Sequence, residues 1–443
     1  MTDRHGAARP GDAPLDYRES LAYLVSTGSR GIKAGLERIR ALLGALGNPE
    51  RDLRGVLVAG TNGKGSVSAM VDSVVRHAGL RSVLLVKPHL CSYRERIVID
   101  GRDIAEQEFA ALVQRVRPAV DAVEPVAGAP TQFEILTALG ILAAAEHRPD
   151  VLVCEVGLGG RLDSTNVLDL GVAAITNVAM DHAQYLGDSV PLIAAEKAGI
   201  LKPGNDAVTG ASGEALAVVR QRAAAVGTRS LRVVGEDIQA TGRSLGRAGT
   251  EVQVVAGDYH ATLQVPLPGV FQAGNAGVAV GIALALRERG LAIPDAAIRD
   301  GVARVRWPAR LQWINASPPL VLDGGHNPAA LHAVIPAVRE MTEGRSLAIL
   351  FGAMSDKDVR SMLDELRPLG APPVFTQMGT PRAMPAVELA RMWGAGARAI
   401  SSLPDALHAA RLLAGRAGAV FVCGSLYLAG DVLRLLGSAP EPT

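Results

Sequence analysis

Val56-Leu57-Val58-Ala59-Gly60-Thr61-Asn62-Gly63-Lys64-Gly65-Ser66 sets an apolar run directly against a glycine-rich turn that carries one lysine. From Lys64 onward, Val67, Met70, Val71, Val74, Val75 and Ala78 recur at helical spacing, and Gly79 sits where a C-cap belongs. Strand, glycine turn and helix in this order form a phosphate cradle. Glycines let backbone NH groups converge on an anion, the helix offers its positive end, and Lys64 adds a point charge. The strict phosphate-loop pattern is not met. Val58 stands at its first glycine and Gly65 at its hydroxyl position, with a hydroxyl only at Ser66. An ordinary strand-to-helix turn is the competing reading.

The 443 residues exceed what one hydrophobic core usually organises, so two domains are expected. Lys+Arg 45 against Asp+Glu 44 leaves almost no net charge, which argues against a general nucleic-acid or membrane-surface role and makes any anion site local. Cys91, Cys154 and Cys423 are odd in number and widely spaced with no CxxC pair, which indicates neither a disulfide framework nor a zinc knuckle and fits a reducing cytoplasm. Met1–Pro14 has no apolar signal core, and no later run is long enough to span a membrane. A soluble, unprocessed cytoplasmic protein is expected, with residues 1–14 and 437–443 as frayed tails.

Outward from the opening stretch, β-branched runs alternate with Ala/Leu-rich helical stretches. Candidate strands lie at 56–59, 83–86, 151–155 and 172–176, and each leads into a loop of Gly, Pro, Asp, Asn or His. Residues 206–264 change to short polar strands and read as a β-rich appendage. A helix over 273–289 follows, then a segment ending in Arg306-Trp307-Pro308-Ala309-Arg310. The βα rhythm restarts with strands at 320–323, 347–351, 374–376 and 419–423. The fold class is α/β in two domains: an N-terminal P-loop-type parallel-sheet domain with a small β-rich appendage, and a C-terminal Rossmann-like doubly wound domain.

In such sheets ligands gather beyond the carboxyl ends of the strands. Glu155 ends a strand there, and Asp181-His182 follow the next strand at the same edge. Glu196-Lys197 begin or end a helix beyond them. Magnesium takes hard oxygen ligands and keeps several waters, so one carboxylate with a few neighbours suffices. The plainer alternatives are a Glu155 that caps backbone or pairs with Arg161, a hydrogen-bonded loop histidine at 182, and a solvated helix charge at Lys197. In the second half, Asp323-Gly324-Gly325-His326-Asn327-Pro328 again joins strand to helix. Arg310 is suited either to charge on a transferring phosphoryl group or to a surface ion pair.

Taken together, these segments resemble the Mur ligase superfamily, most closely its folylpolyglutamate synthase and dihydrofolate synthase branch. The resemblance runs from about Tyr17 to Leu433. It rests on Gly35-Leu36-Glu37-Arg38, Gly60 to Ser66, Pro88-His89-Leu90, Tyr93 to Ile97, Glu155 to Asp163, Asp181-His182, Glu196 to Ile200, Leu267-Pro268-Gly269, Trp307-Pro308, His326-Asn327-Pro328, Asp356-Lys357-Asp358 and Gly424 to Leu428. It implies an ATP-binding domain over 1–297, a linker over 298–310 and a C-terminal glutamate-ligase domain over 311–443. The implied reaction is ATP-dependent addition of L-glutamate to a folate or dihydropteroate carboxylate through an acyl phosphate, within folate and one-carbon metabolism. The implied protein is a monomer with small-molecule substrates, and with no nucleic-acid or membrane partner.

By the same resemblance, Thr61, Asn62, Gly63, Lys64, Gly65, Ser66, Asn275, Arg310 and Asp323 meet ATP, with Lys64 on the β/γ-phosphates. Glu155 and His182 ligate Mg2+ together with a carbamylated Lys197. Lys64, His182, Lys197 and His326 serve catalysis, with His326 and Ser425 near the glutamate, and Asp163, Phe133 and Ser425 meet substrate.

The sequence also departs from the family pattern. Lys87 stands where a magnesium-binding Ser is usual, Ala309 where Gly is, and Gly325 where Ala is, while Gln132 and Ile135 replace frequent aromatics. An ammonium cannot ligate a metal. These changes keep open a paralogous Mur-type amide ligase that acts on a non-folate substrate in specialised metabolism.

Overall fold

Val56–Ala59 is apolar at every position because both faces of its strand are covered. Val56 and Val58 enter one core with Val67, Met70 and Val74, while Leu57 and Ala59 enter another with Ile135, Leu139 and Ala194. The period-two geometry of a strand sends alternate residues to opposite cores, so a doubly covered strand reads as a continuous apolar run. The computed structural model describes residues 15–31 and 33–437, so the proposed tail over 1–14 and all but Gly437 of that over 437–443 lie outside the described residues.

Eight strands make the first sheet: β1 (Gly55–Ala59), β2 (Ser82–Leu85), β3 (Ile97–Ile99), β4 (Arg102–Asp103), β5 (Val151–Glu155), β6 (Gly171–Ile175), β7 (Asp206–Thr209) and β8 (Ser230–Val233). Their order is β4-β3-β2-β5-β1-β6-β7-β8, parallel from β2 to β8, with β3 and β4 antiparallel at one edge. β1 is central. The helix Lys64–His77 leaves its end and buries Val67, Met70, Val71, Val74 and Val75, with Gly79 at φ +76° just beyond it. Burial of this kind is worth about 1.5–3 kcal/mol per side chain, and Met70→Ala would cost about 2–5 kcal/mol through the cavity it leaves.

β9 (Gln239–Ser244), β10 (Thr250–Ala256) and β11 (Tyr259–Val265) form a separate antiparallel sheet in the order β11-β10-β9. The appendage is therefore smaller than the sequence predicts, because residues 206–233 extend the main sheet through β7, the helix Gly213–Val226 and β8. Their polar look has a local cause. The wholly buried Asp206 accepts from Arg229, Ser230 and Arg289, so the strand end carries an ion cluster.

The helix Asp295–Ala303 packs against Lys64–His77 so closely that a Cβ on Gly301 would lie 2.4 Å from the Val74 Cα, and Ser73 Oγ donates to the Gly301 carbonyl at 2.7 Å. Residues 298–303 thus belong to a packed helix, and the segment that crosses to the second sheet begins at Arg304.

That sheet contains β12 (Gln312–Ile314), β13 (Leu320–Leu322), β14 (Leu347–Phe351), β15 (Pro373–Phe375), β16 (Arg398–Ala399) and β17 (Ala419–Cys423), in the order β12-β13-β17-β14-β15-β16. All pairs are parallel except β12 with β13. The same two-sided logic holds, since Phe421 and Cys423 face one core and Val420 and Val422 the other. This is the doubly wound second domain that the βα rhythm predicts. Among the described residues, no helix is long and apolar enough to cross a membrane.

Candidate active site

The carboxyl ends of the two sheets face each other across a cleft of about 430 Å³, lined by Gly60 to Ser66, Lys87, Glu155, Asn177, Asp181, His182 and Lys197 from one side. Arg310, Asp323, Gly324, Gly325 and His326 line it from the other. A second cleft of about 460 Å³ adjoins it, lined by Lys33, Lys87, Arg96, Phe133, Asp163, Lys357, Arg382, Ser425 and Tyr427, among others. The two share Lys87, Pro88, Gly157, Leu158, His182, Leu186, His326 and Leu426.

The glycine turn is fixed from outside. Thr61 N and Asn62 N donate to the Asn177 backbone carbonyl and side-chain oxygen, both at 2.9 Å, and Thr61 Oγ1 is engaged with Ala179. Those two NH groups are therefore spent on structure, and the anion-facing donors are the first-turn NH groups of the helix, which have no intrahelical partner. Gly63 has φ +84°, and a Cβ there would meet Asn275 Oδ1 at 2.3 Å. Gly65 is required for a different reason: a Cβ would lie 2.8 Å from Trp307 Nε1.

Lys64 Nζ donates to the Gly60 and Thr61 carbonyls, each at 3.0 Å, and Lys197 Nζ also donates to Gly60 O at 3.0 Å. Burial pushes the Lys64 ammonium below its ordinary value against the pull of Glu155 and Asp181. Burial, with Lys64 nearby, brings Lys197 down to about 7. Lys197 is thus a buried group near the end of the helix Val190–Ala198 and not a solvated charge.

Burial also raises the Glu155 carboxyl, opposed by Lys64 and by the Lys87 backbone NH, which donates to Glu155 Oε2 at 3.1 Å. Glu155 does not pair with Arg161, which binds Glu196 at 2.8 Å.

Asp181 and His182 meet groups from the second sheet. Lys357 Nζ lies 2.7 Å from Asp181 Oδ1 and 2.9 Å from His182 Nε2, so that nitrogen accepts and Nδ1 carries the proton. His182 Nδ1 is buried without a partner. Burial moves His182 down to about 4 against the pull of Asp181, with Lys357 and Lys64 adding to the downward shift. Asn327 Nδ2 donates to Asn62 Oδ1 and Asp181 Oδ2, both at 2.9 Å. His326 Nδ1 donates to Gly324 O at 3.0 Å, its Nε2 stands 3.9 Å from Asp181 Oδ2, and burial brings it down to about 4.

A buried carboxylate at Glu155 fits one hydrated magnesium carried with nucleotide phosphates, and His182 would join it through Nε2 once Lys357 releases that nitrogen, since Nδ1 carries the proton. A protein cage is not built, since among the described residues no three His, Cys, Asp or Glu side chains cluster to hold a metal.

Asn275 donates to Gln272 at 2.7 Å beside the glycine turn. Arg310 lines the nucleotide-side cleft, is lowered by burial against the pull of Asp323, and has no part in a surface ion pair. Asp323 accepts from Leu311 N at 2.9 Å and Gly325 N at 2.7 Å, so it anchors the crossover segment. Ala309, in place of the usual Gly, has φ +55° in that segment.

Asp163, expected to meet substrate, lines the second cleft and also serves its own loop. Both of its oxygens are taken by Gly157 N, Leu158 N, Thr165 N and Thr165 Oγ1, so it holds the 157–165 loop from within the cleft wall. Phe133 does face the second cleft, packed on Gly157 and 5.0 Å from Lys87 Nζ. Ser425 caps its helix by accepting from Tyr427 N at 3.1 Å. Of the substituted positions, Ile135 is core and Gln132 donates to Leu24 O, so neither shapes the cleft.

With this geometry in view, comparison with known proteins is specific. Residues 58–283 match the Mur ligase middle domain and residues 309–426 the Mur ligase glutamate ligase domain. The chain is 32% identical over 433 residues to the Bacillus subtilis dihydrofolate synthase/folylpolyglutamate synthase, covering 95% of this chain and 99% of that one. The chain belongs to this family of Mur-type ligases. The Lacticaseibacillus casei folylpolyglutamate synthase is 34% identical at 95% and 99% coverage. Among solved structures, Mycobacterium tuberculosis folylpolyglutamate synthase complexed with ADP and AMPPCP superposes with a TM-score of 0.90 at 31% identity, covering 96% of this chain and all of that one. Escherichia coli FolC in complex with DHPP and ADP gives 0.84 at 29% identity, with 96% and 98% coverage.

Within the ligase site, two residues carry more than sequence reasoning assigned them. Lys357 and Asn327 lie in quoted motifs, but neither spacing nor periodicity shows that they cross the cleft to Asp181 and Asn62.

Proposed function

We propose that this protein is an ATP-dependent carboxylate-amine ligase that adds L-glutamate to a folate or dihydropteroate carboxylate. The observation that carries the reading is the gathering of Lys64, Glu155, His182 and Lys197 at one sheet edge, opposite Arg310, Asp323 and His326, around a cleft that opens into a second one. ATP occupies the first cleft, with its phosphates on the helix N-terminus at Lys64. The acceptor lies in the second cleft along Phe133. The acceptor carboxylate oxygen attacks the γ-phosphorus, ADP leaves, and the glutamate amine then displaces phosphate from the acyl phosphate. Lys64 and Arg310 balance charge on the transferring group, and His326 and Ser425 orient the glutamate.

Magnesium would be held by Glu155, His182 and carbamylated Lys197, and it supplies neutralisation of phosphate charge. Lys197 is suited to carbamylation because a lowered ammonium yields the neutral amine that adds to carbon dioxide with loss of a proton. The ATP-binding part runs to the end of the helix Asp295–Ala303 and the glutamate-ligase part spans 311–443, joined through 304–310. The reading includes a cytoplasmic monomer with no nucleic-acid or membrane partner.

Phosphate release from ATP tests it, assayed with pterin acceptors in the presence and absence of L-glutamate. Release that needs both, with a glutamylated product, supports the assignment. No turnover with any pterin acceptor rejects it. A second reading, a Mur-type ligase with a non-folate acceptor, rests on the departures from the family pattern at Lys87, Ala309 and Gly325.

A further inference from the structure

Lys64 and Lys197 spend their ammonium groups on loop carbonyls at the nucleotide end of the site. Lys87 is placed differently. Of the lysines and arginines that line the two clefts, it is the one common to both. It also lines the small chamber between Glu155, Trp307, Arg310 and Leu426. Its Nζ is steered by two contacts, a hydrogen bond to the Glu155 backbone carbonyl at 3.2 Å and the Phe133 ring at 5.0 Å, while its backbone NH holds the Glu155 carboxylate. An ammonium has three donors and cannot bind a metal, so a carbonyl engages one and the others are open to an anion. The anion that must stand at this boundary is the acceptor's carboxylate, on its way to becoming an acyl phosphate.

We propose that Lys87 is the acceptor-carboxylate anchor, a substrate-binding residue that aligns the carboxylate oxygen with the γ-phosphate. The assignment rests on the ligase reading above. A charge-assisted hydrogen bond of this kind changes binding by about 10- to 100-fold.

The test compares the full-length protein with Lys87→Met and Lys87→Arg. It measures equilibrium binding of pteroate and of its carboxamide by fluorescence, ATP binding, and KM against kcat. Pteroate binding to Lys87→Met should weaken by about 10- to 100-fold, while ATP affinity and melting temperature hold. The carboxamide should bind Lys87→Met and the unaltered protein alike, and Lys87→Arg should recover most of the pteroate affinity. Equal losses for carboxylate and carboxamide would assign Lys87 a purely structural role and overturn the proposal, as would unchanged pteroate binding in Lys87→Met. If the unaltered protein turns over pteroate but Lys87→Met binds it normally, the anchor alone is wrong. If the unaltered protein binds no pteroate, the folate reading falls and the anchor with it.

Discussion

Asp181, beyond the first sheet, and Lys357, beyond the second, meet at 2.7 Å, each side chain only 8% exposed. Two halves with separate cores are thereby tied at the point where their ligands must meet. Removing one partner of a buried ion pair leaves the other charged and unsolvated, at a cost of about 3–5 kcal/mol. Lys357→Met is therefore expected to lower thermal stability by that order and to widen the angle between the halves. Calorimetry and small-angle scattering check this; an unchanged melting curve and envelope would show that the halves are held elsewhere.

Lys197→Ala should abolish ligase activity while leaving the fold intact, because the side chain ends in the cleft, where the carbamate would help hold magnesium. Isotope-labelled bicarbonate should give a carbamate resonance in the unaltered protein that is missing from the variant. A resonance present in both would place the carbamate on another lysine.

The glycine turn makes two separable predictions. Gly63→Ala forces a side chain into positive φ and into Asn275, which should cost about 1–3 kcal/mol and weaken ATP binding. Gly65→Ala meets the edge of Trp307, so pairing it with Trp307→Phe should recover part of the loss. Additive effects in the double variant would count against the contact.

His89 gives a pH dependence whose sign is fixed by its surroundings. Its Nδ1 accepts from Arg96 Nε at 2.8 Å, and burial first, then Arg96 and Arg434, push it down to about 3. The unfolded chain takes up a proton near pH 6.5 that the folded chain refuses, so stability is lost as pH falls below about 6.5. Between pH 7 and 5 the loss from this group is roughly 2 kcal/mol. Denaturant titrations of His89→Gln should show a slope shallower by that amount, and parallel slopes would contradict it.

The sequence made the two sheets legible wherever strands are covered on both faces, because Val56 to Ala59 and Ala419 to Cys423 must then be apolar throughout. It misled at β7, since Asp206 looks like a loop residue until Arg229 and Arg289 are seen around it. At the site, strand ends and glycine spacing brought Lys64, Glu155, His182 and His326 to one cleft, as sheet topology requires. Periodicity does not encode which side chains cross between domains, so the partners of Asp181 emerged only in three dimensions. Asp163 shows a related limit of periodicity: a carboxylate in a glycine loop reads the same whether it serves the loop or a ligand, and its bonds to the 157–165 loop emerged only in three dimensions.

Activation of the acceptor carboxylate by phosphorylation stands at the centre of the proposed reaction. An acceptor whose carboxylate oxygens carry a heavy isotope, incubated with ATP, magnesium and L-glutamate, tests it most directly. One labelled oxygen should appear in the released inorganic phosphate for each amide formed; amide formation with no label in the phosphate would contradict the account.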